Sequence, residues 1–173
     1  MKKIGIGYEN YKEFIDRDMY YVDKTLLIRD IIEKGGMVTL FTRPRRFGKT
    51  LALSMLRTFF ELEYDDAGNP VDNSRYFEGK KIMEADKSIL SKQGKYPVIK
   101  LSLKSAKQPD FLLAALRLRD EIVAEIRRHA YLWQTDLLPK EDRDELAALS
   151  RSVINTQDKR CAGIGSRYRL FEN

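Results

Sequence analysis

Apolar positions along this chain change period several times, and each change marks an expected element. Leu27, Ile28, Ile31 and Ile32 recur at helical spacing between Lys24 and Lys34. Asp23 stands before them as a candidate N-cap, and Gly35-Gly36 closes the segment. Residues 37–42, rich in Val, Leu, Phe and Thr, then predict a short buried strand. A loop over residues 43–48 follows, and a second helix is expected from Lys49 to about Phe60. Its apolar set (Leu51, Leu53, Met55, Leu56, Phe59 and Phe60) exceeds one narrow stripe, which predicts burial on most sides.

Residues 61–93 are polar and irregular, with turn signals at Asp65-Asp66 and Ala67-Gly68-Asn69-Pro70 and with Tyr76-Phe77 as the expected anchor to the core. Alternation of Ile99, Leu101 and Leu103 predicts a second strand over residues 96–103. Asp110 is placed to cap a long helix to about Trp133, with Phe111, Ala115, Leu118, Ile122 and Ile126 on its inner face. Pro139 opens a shorter helix through about Ser152. The order helix, strand, helix, strand, helix, helix predicts an α/β fold with parallel strands.

Composition narrows the class without naming a function. The 173 residues are 43% hydrophobic and 34% charged, which fits one globular domain and excludes a disordered or collagen-like chain. Thirty-two Lys and Arg against 26 Asp and Glu give a net charge of +6, enough to permit a polyanionic partner but not to require one. The single cysteine, Cys161, excludes an internal disulfide framework and a zinc cluster. The single histidine, His129, excludes a two-histidine metal site within the chain. Glu9 interrupts any apolar run after Met1-Lys2-Lys3, and no stretch approaches the ~20 apolar residues of a membrane helix. A cytoplasmic protein without a membrane partner is expected.

The chemically informative stretch is strand, tight loop, Gly48-Lys49-Thr50, helix. The first turn of a helix offers backbone N–H groups and the positive end of the dipole to an anion. Gly48 would allow close backbone approach, Lys49 would reach the outer phosphates, and the Thr50 hydroxyl would ligate Mg²⁺. The usual pattern is G-x-x-x-x-G-K-[ST], and its first glycine is replaced here by Arg43, followed by Pro44. A bare Gly-Lys-Thr is a weak signal; a plain strand–helix turn with a surface lysine would show the same three residues.

Longer strings carry a resemblance. Tyr20-Tyr21-Val22-Asp23-Lys24-Thr25, then Thr42-Arg43-Pro44-Arg45-Arg46-Phe47-Gly48-Lys49-Thr50-Leu51, then Ser54-Met55-Leu56 and Phe59-Phe60 resemble the AAA-ATPase-like proteins. Their usual motif is a TRPRRFGK[ST] phosphate loop preceded by YVDKT, in which Arg-Pro-Arg-Arg replaces the glycine-rich part. The resemblance covers about Ile4 to Ser152. It implies a P-loop NTPase domain of AAA-like type, an incomplete parallel sheet flanked by helices, that binds Mg-ATP. The implied nucleotide-binding residues are Arg43, Arg45, Arg46, Phe47, Gly48, Lys49, Thr50 and Leu51, with Thr50 on the magnesium. Many such proteins continue into a PD-(D/E)XK-type nuclease domain, and no nuclease activity is carried over to this sequence.

An acidic motif, four apolar strand residues followed by Asp or Asp-Glu, holds Mg²⁺ and orients water in working ATPases. The sequence shows none, so hydrolysis by this chain alone is not expected. Residues 1–155 are expected to form the N-terminal part of the ATPase-like domain, and residues 156–173 a divergent tail, as in a truncated or frameshifted member or a split gene. A partner fragment would then complete the sheet. The alternative from another class is a basic nucleic-acid-binding module with a vestigial phosphate loop, or a gene product without function. Among the remaining residues, Asp23 and Lys24 could line the nucleotide pocket, but a helix cap and a solvated lysine are the favoured reading. His129 reads as a dipole partner at a helix end, the run 141–145 as a solvated helix face, and Cys161 as inert.

Overall fold

A computed structural model describes residues 3–5, 7–44, 46–65, 67–133 and 138–151. The chain divides into two compact units, residues 1–98 and 99–173. In the first, α1 (Tyr11–Asp16) begins where Asn10 accepts hydrogen bonds from the backbone N–H groups of Lys12 and Glu13. Helix α2 (Leu26–Lys34) ends at Gly35, where a Cβ would stand 2.1 Å from the Ile31 carbonyl oxygen. Only glycine fits that approach. Helix α3 (Lys49–Phe60) has the bounds that its apolar pattern predicts. Two 3₁₀ turns (Ser74–Phe77 and Lys81–Glu84) and the single-turn α4 (Lys87–Leu90) pack the polar segment onto the helices.

The core of this unit is aromatic. Tyr11, Ile28, Met55, Phe59, Tyr76, Phe77 and Ile82 are buried together. The Phe59 and Phe77 rings meet edge to face at 5.3 Å, and Tyr11 lies 5.5 Å from Phe77. Buried polar groups are tied within it. Tyr11 donates its backbone N–H to Ser54 Oγ at 3.0 Å and its hydroxyl to the Tyr76 carbonyl at 3.0 Å. Burial drives the Tyr11 phenol far above its ordinary range, with the neighbouring Tyr21 and Asp23 adding to the rise. Helix α3 keeps Leu53 about half exposed, so its burial is less complete than expected.

In the second unit, α5 (Phe111–Arg128) starts as expected, with Asp110 Oδ1 accepting the Leu113 N–H at 2.9 Å. It ends short of Trp133. His129 is its buried C-cap, and a separate turn, α6 (Ala130–Trp133), follows. Of α5, only Val123 is buried; Phe111 and Ile122, assigned to an inner face, are 72% and 42% exposed. Helix α7 (Lys140–Arg151) packs on α5 and α6, with Arg127 Nε donating to the Ser150 carbonyl. Its acidic run 141–145 lies on exposed and half-buried positions, with nothing in the helix fully buried. Cys161 and the tail 156–173 lie outside the described residues.

The expected parallel sheet is not formed. Among the described residues there is no strand, only isolated bridges at Lys3–Met19, Glu61–Tyr96 and Tyr64–Pro70. The α/β expectation, P-loop sheet included, is therefore corrected to a helical chain. Residues 37–42 form no strand and are mostly exposed, with Val38 at 88% and Leu40 at 82%. Ile99, Leu101 and Leu103 are likewise exposed. The reason is physical: alternation prepares one face of a strand, but the ladder needs a neighbouring backbone. Tyr96 finds one in a single bridge, its N–H on the Phe60 carbonyl at 2.9 Å and its carbonyl under the Leu62 N–H at 2.8 Å. Lys100 gives its N–H to the side chain of Glu125 instead, at 3.0 Å.

Candidate functional site

The loop that precedes α3 is held in an unusual backbone conformation. Arg46 has φ +68°, and Gly48, the N-cap of α3, has φ +72°. The left-handed region suits Gly48 and is uncommon for an arginine. A non-glycine residue in this region carries conformational strain, a feature that concentrates at functional sites. The Lys49 side chain turns back across the loop, donating from Nζ to the carbonyl of Arg43 and, at 3.3 Å, to that of Pro44. From the other side Lys24 Nζ donates to the Phe47 carbonyl at 3.3 Å.

Beside this loop lies a cavity of about 340 Å³, enclosed wholly by first-unit residues. Lys24, Arg43, Phe47, Gly48 and Lys49 form its loop end. Leu26, Leu27 and Asp30 of α2, Phe41, and Ala52, Leu53 and Leu56 of α3 form the rest. Positions 49, 52, 53 and 56 share one face of α3, and 26, 27 and 30 share one face of α2. One end is thus cationic and the other mostly apolar. Asp30 is the cavity's carboxylate, and it is shared by Arg29 at 3.5 Å and Lys34 at 3.6 Å.

The expected site residues are therefore partly assembled. Arg43, Phe47, Gly48 and Lys49 line the cavity. Thr50 and Leu51, in the first turn of α3, are half-buried and do not line it, and Arg46 is exposed on the loop. Arg45 lies outside the described residues. Lys24, read from sequence as a solvated lysine, is exposed and also lines the cavity. Asp23 is not the N-cap of α2; Thr25 holds that position, and it is fully buried. Asp23 instead accepts from Thr25 N–H (2.8 Å), Thr25 Oγ1 (2.7 Å) and Lys81 N–H (2.9 Å). Burial works against its charge, but these hydrogen bonds and the Lys80 ammonium outweigh it and hold the carboxyl below its usual range.

A divalent ion carried by a nucleotide needs few protein ligands, because phosphates and water supply the rest. The Thr50 hydroxyl is of the right kind. Among the described residues no group of three or more His, Cys, Asp or Glu side chains could hold a metal ion by itself. No helix among them is long and apolar enough to cross a membrane.

Residues 5–162 match the family model described as predicted AAA-ATPase. The chain belongs to that family. It is also 43% identical over 60 residues to an "uncharacterized protein in vnfD 5'region" of Azotobacter chroococcum mcd 1. That match covers 34% of this chain and spans only 11% of the relative's length. No solved structure matches the chain.

Proposed function

We propose that this protein binds ATP or another nucleoside triphosphate, as Mg-ATP, in the cavity beside the loop 43–48. The observation that carries the reading is the cavity's polarity: Lys24, Arg43 and Lys49 at the loop end, an apolar wall of Leu26, Leu27, Phe41, Leu53 and Leu56 beyond. A polyphosphate suits the first and a base the second. Membership of the predicted AAA-ATPase family agrees with it.

The loop acts as a variant phosphate loop. Pro44 has no N–H to offer, so guanidinium groups of Arg43, Arg45 and Arg46 take the role of close backbone donors. Gly48 lets α3 present its N-terminal N–H groups, and Lys49 would bind outer phosphate oxygens. The Thr50 hydroxyl, next to the cavity lining rather than in it, would be the side chain to hold magnesium. Phe47 lines the same end, while Leu51 packs toward the core. Bound magnesium would neutralise phosphate charge. Binding, not turnover, is assigned to these residues, because the sequence supplies no acidic strand motif to orient an attacking water.

The test is calorimetric. Lys49→Ala should weaken Mg-ATP binding at least about tenfold, ~1.4 kcal/mol, with little change for adenosine. Equal Mg-ATP affinity in the two proteins overturns the assignment.

A further inference from the structure

We infer that Lys24 is a second phosphate-binding cation of this pocket, presented to the loop by the anchored segment 23–25. The inference rests on the nucleotide-binding reading above and extends it to a residue 25 positions upstream of Lys49.

Three observations separate Lys24 from an ordinary surface lysine. The first is reach. Its Nζ meets the Phe47 carbonyl at 3.3 Å and lies 3.8 Å from where a Cβ on Gly48 would stand. The ammonium therefore sits against the loop residue that opens α3. The second is the base of the arm. On one side Asp23 is fixed by three hydrogen bonds, one of them to the backbone of Lys81. On the other, Thr25 is fully buried and its Oγ1 accepts the Ile82 N–H at 3.2 Å. The backbone of Lys24 is thus clamped on both sides to the 3₁₀ turn 81–84, while its side chain extends into the cavity. A lysine kept only for solubility needs no such mounting, and its four-carbon stem would be free to wander.

The third is what the ammonium groups hold. Lys24 is on the Phe47 carbonyl and Lys49 on those of Arg43 and Pro44, all neutral acceptors of one short loop. Hydrogen bonds to an ionised oxygen are roughly twice as strong as those to a neutral one. Phosphate oxygens arriving between the two lysines would draw both away from the loop carbonyls. The cavity's own carboxylate does not meet this demand, since Asp30 is shared by Arg29 and Lys34. The loop end of the cavity thus presents Lys24, Lys49 and Arg43 to an anion. The ligand class is a nucleoside polyphosphate, with Lys24 and Lys49 bracketing its phosphates.

The experiment titrates the full chain with Mg-ATP and with adenosine, comparing wild type, Lys24→Ala, Lys24→Arg and Lys49→Ala. Thermal unfolding of each ligand-free protein is recorded alongside. Lys24→Ala should lose about tenfold in Mg-ATP affinity, hold its adenosine affinity, and melt as wild type does. Lys24→Arg, which keeps the charge, should recover most of the loss. If Lys24→Ala binds Mg-ATP as wild type does while Lys49→Ala does not, the inference falls and the nucleotide reading stands. If Lys49→Ala also binds unchanged, or wild type does not bind, both fall. Equal loss of ATP and adenosine with a lowered melting temperature would make Lys24 a structural tether and overturn the inference.

Discussion

The two ends of α3 belong to one helix and obey different rules. From Ser54 onward it puts Met55 and Phe59 into the aromatic core, with Ser54 and Thr58 also buried. Its N-terminal end emerges from a loop whose approach is mostly exposed and whose turn uses two left-handed residues. At the first end, packing sets the conformation. At the second, lysine side chains and a glycine do, and the groups that shape the loop are those proposed to bind the ligand. Stability is concentrated at one end and recognition at the other, as expected when binding residues are carried on a rigid support.

The sharpest way to break that comparison is to truncate one apolar side chain at each end. Phe59→Ala removes a fully buried ring and should cost about 3–5 kcal/mol in urea unfolding. Leu53→Ala, about half exposed, should cost well under ~2 kcal/mol. Similar losses at both positions would show that the two ends are not distinct. Gly48→Ala should have the next largest effect. A Cβ there meets only ordinary contact with Lys24 Nζ, so its cost comes from φ +72° and should be about 1–2 kcal/mol. Gly36→Ala, whose φ is ordinary and whose Cβ would meet nothing closer than 4.0 Å, is the control and should change the urea midpoint little.

The smallest effect concerns the carboxylates that anchor each end. Asp23 ties the Lys24 segment to the 3₁₀ turn. Glu63, just past α3, is held by the Lys12 ammonium and by Asn73 Nδ2 at 2.8 Å. Burial opposes the charge of both, yet their partners hold both below the usual carboxylate range. A carboxyl that is more acidic folded than unfolded favours the folded state while it is ionised. Its contribution is complete above the ordinary values of about 4 and drains as pH falls through the lowered ones. The melting temperature should therefore decline below about pH 4, and Asp23→Asn or Glu63→Gln should flatten part of that decline. An acid profile identical in wild type and both variants would show that these anchors contribute no stability.

Much of the candidate site is legible in the amino-acid sequence. The string around Lys49, the bounds of α3 and the need for glycine at position 48 all lie within one short segment. Asp110 is readable as a cap for the same reason, since its acceptor and the Leu113 N–H are three residues apart. The other wall of the cavity is not. Leu26, Leu27 and Asp30 share a helix face, but nothing local tells that face which loop it will meet. Lys24 is exposed, as a solvated lysine should be, but its place beside the loop is not legible. The Phe47 carbonyl and the backbone at Lys81 and Ile82 that anchor its segment lie 23 or more residues away.

What the sequence determined by itself is what closes within a few residues: the helical runs, the stop at Gly35, the Asp110 cap and the string around Lys49 that resembles the family. A helix satisfies its hydrogen bonds inside its own segment, so periodicity and capping are enough to announce it. What only the tertiary structure decided is whatever needs a distant partner. The alternating runs at 37–42 and 96–103 could become strands only beside another backbone, and among the described residues they form no ladder. The same dependence on distant partners holds the still exposed Lys24 beside the loop, because Asp23 and Thr25 found their hydrogen bonds on a turn almost 60 residues further along.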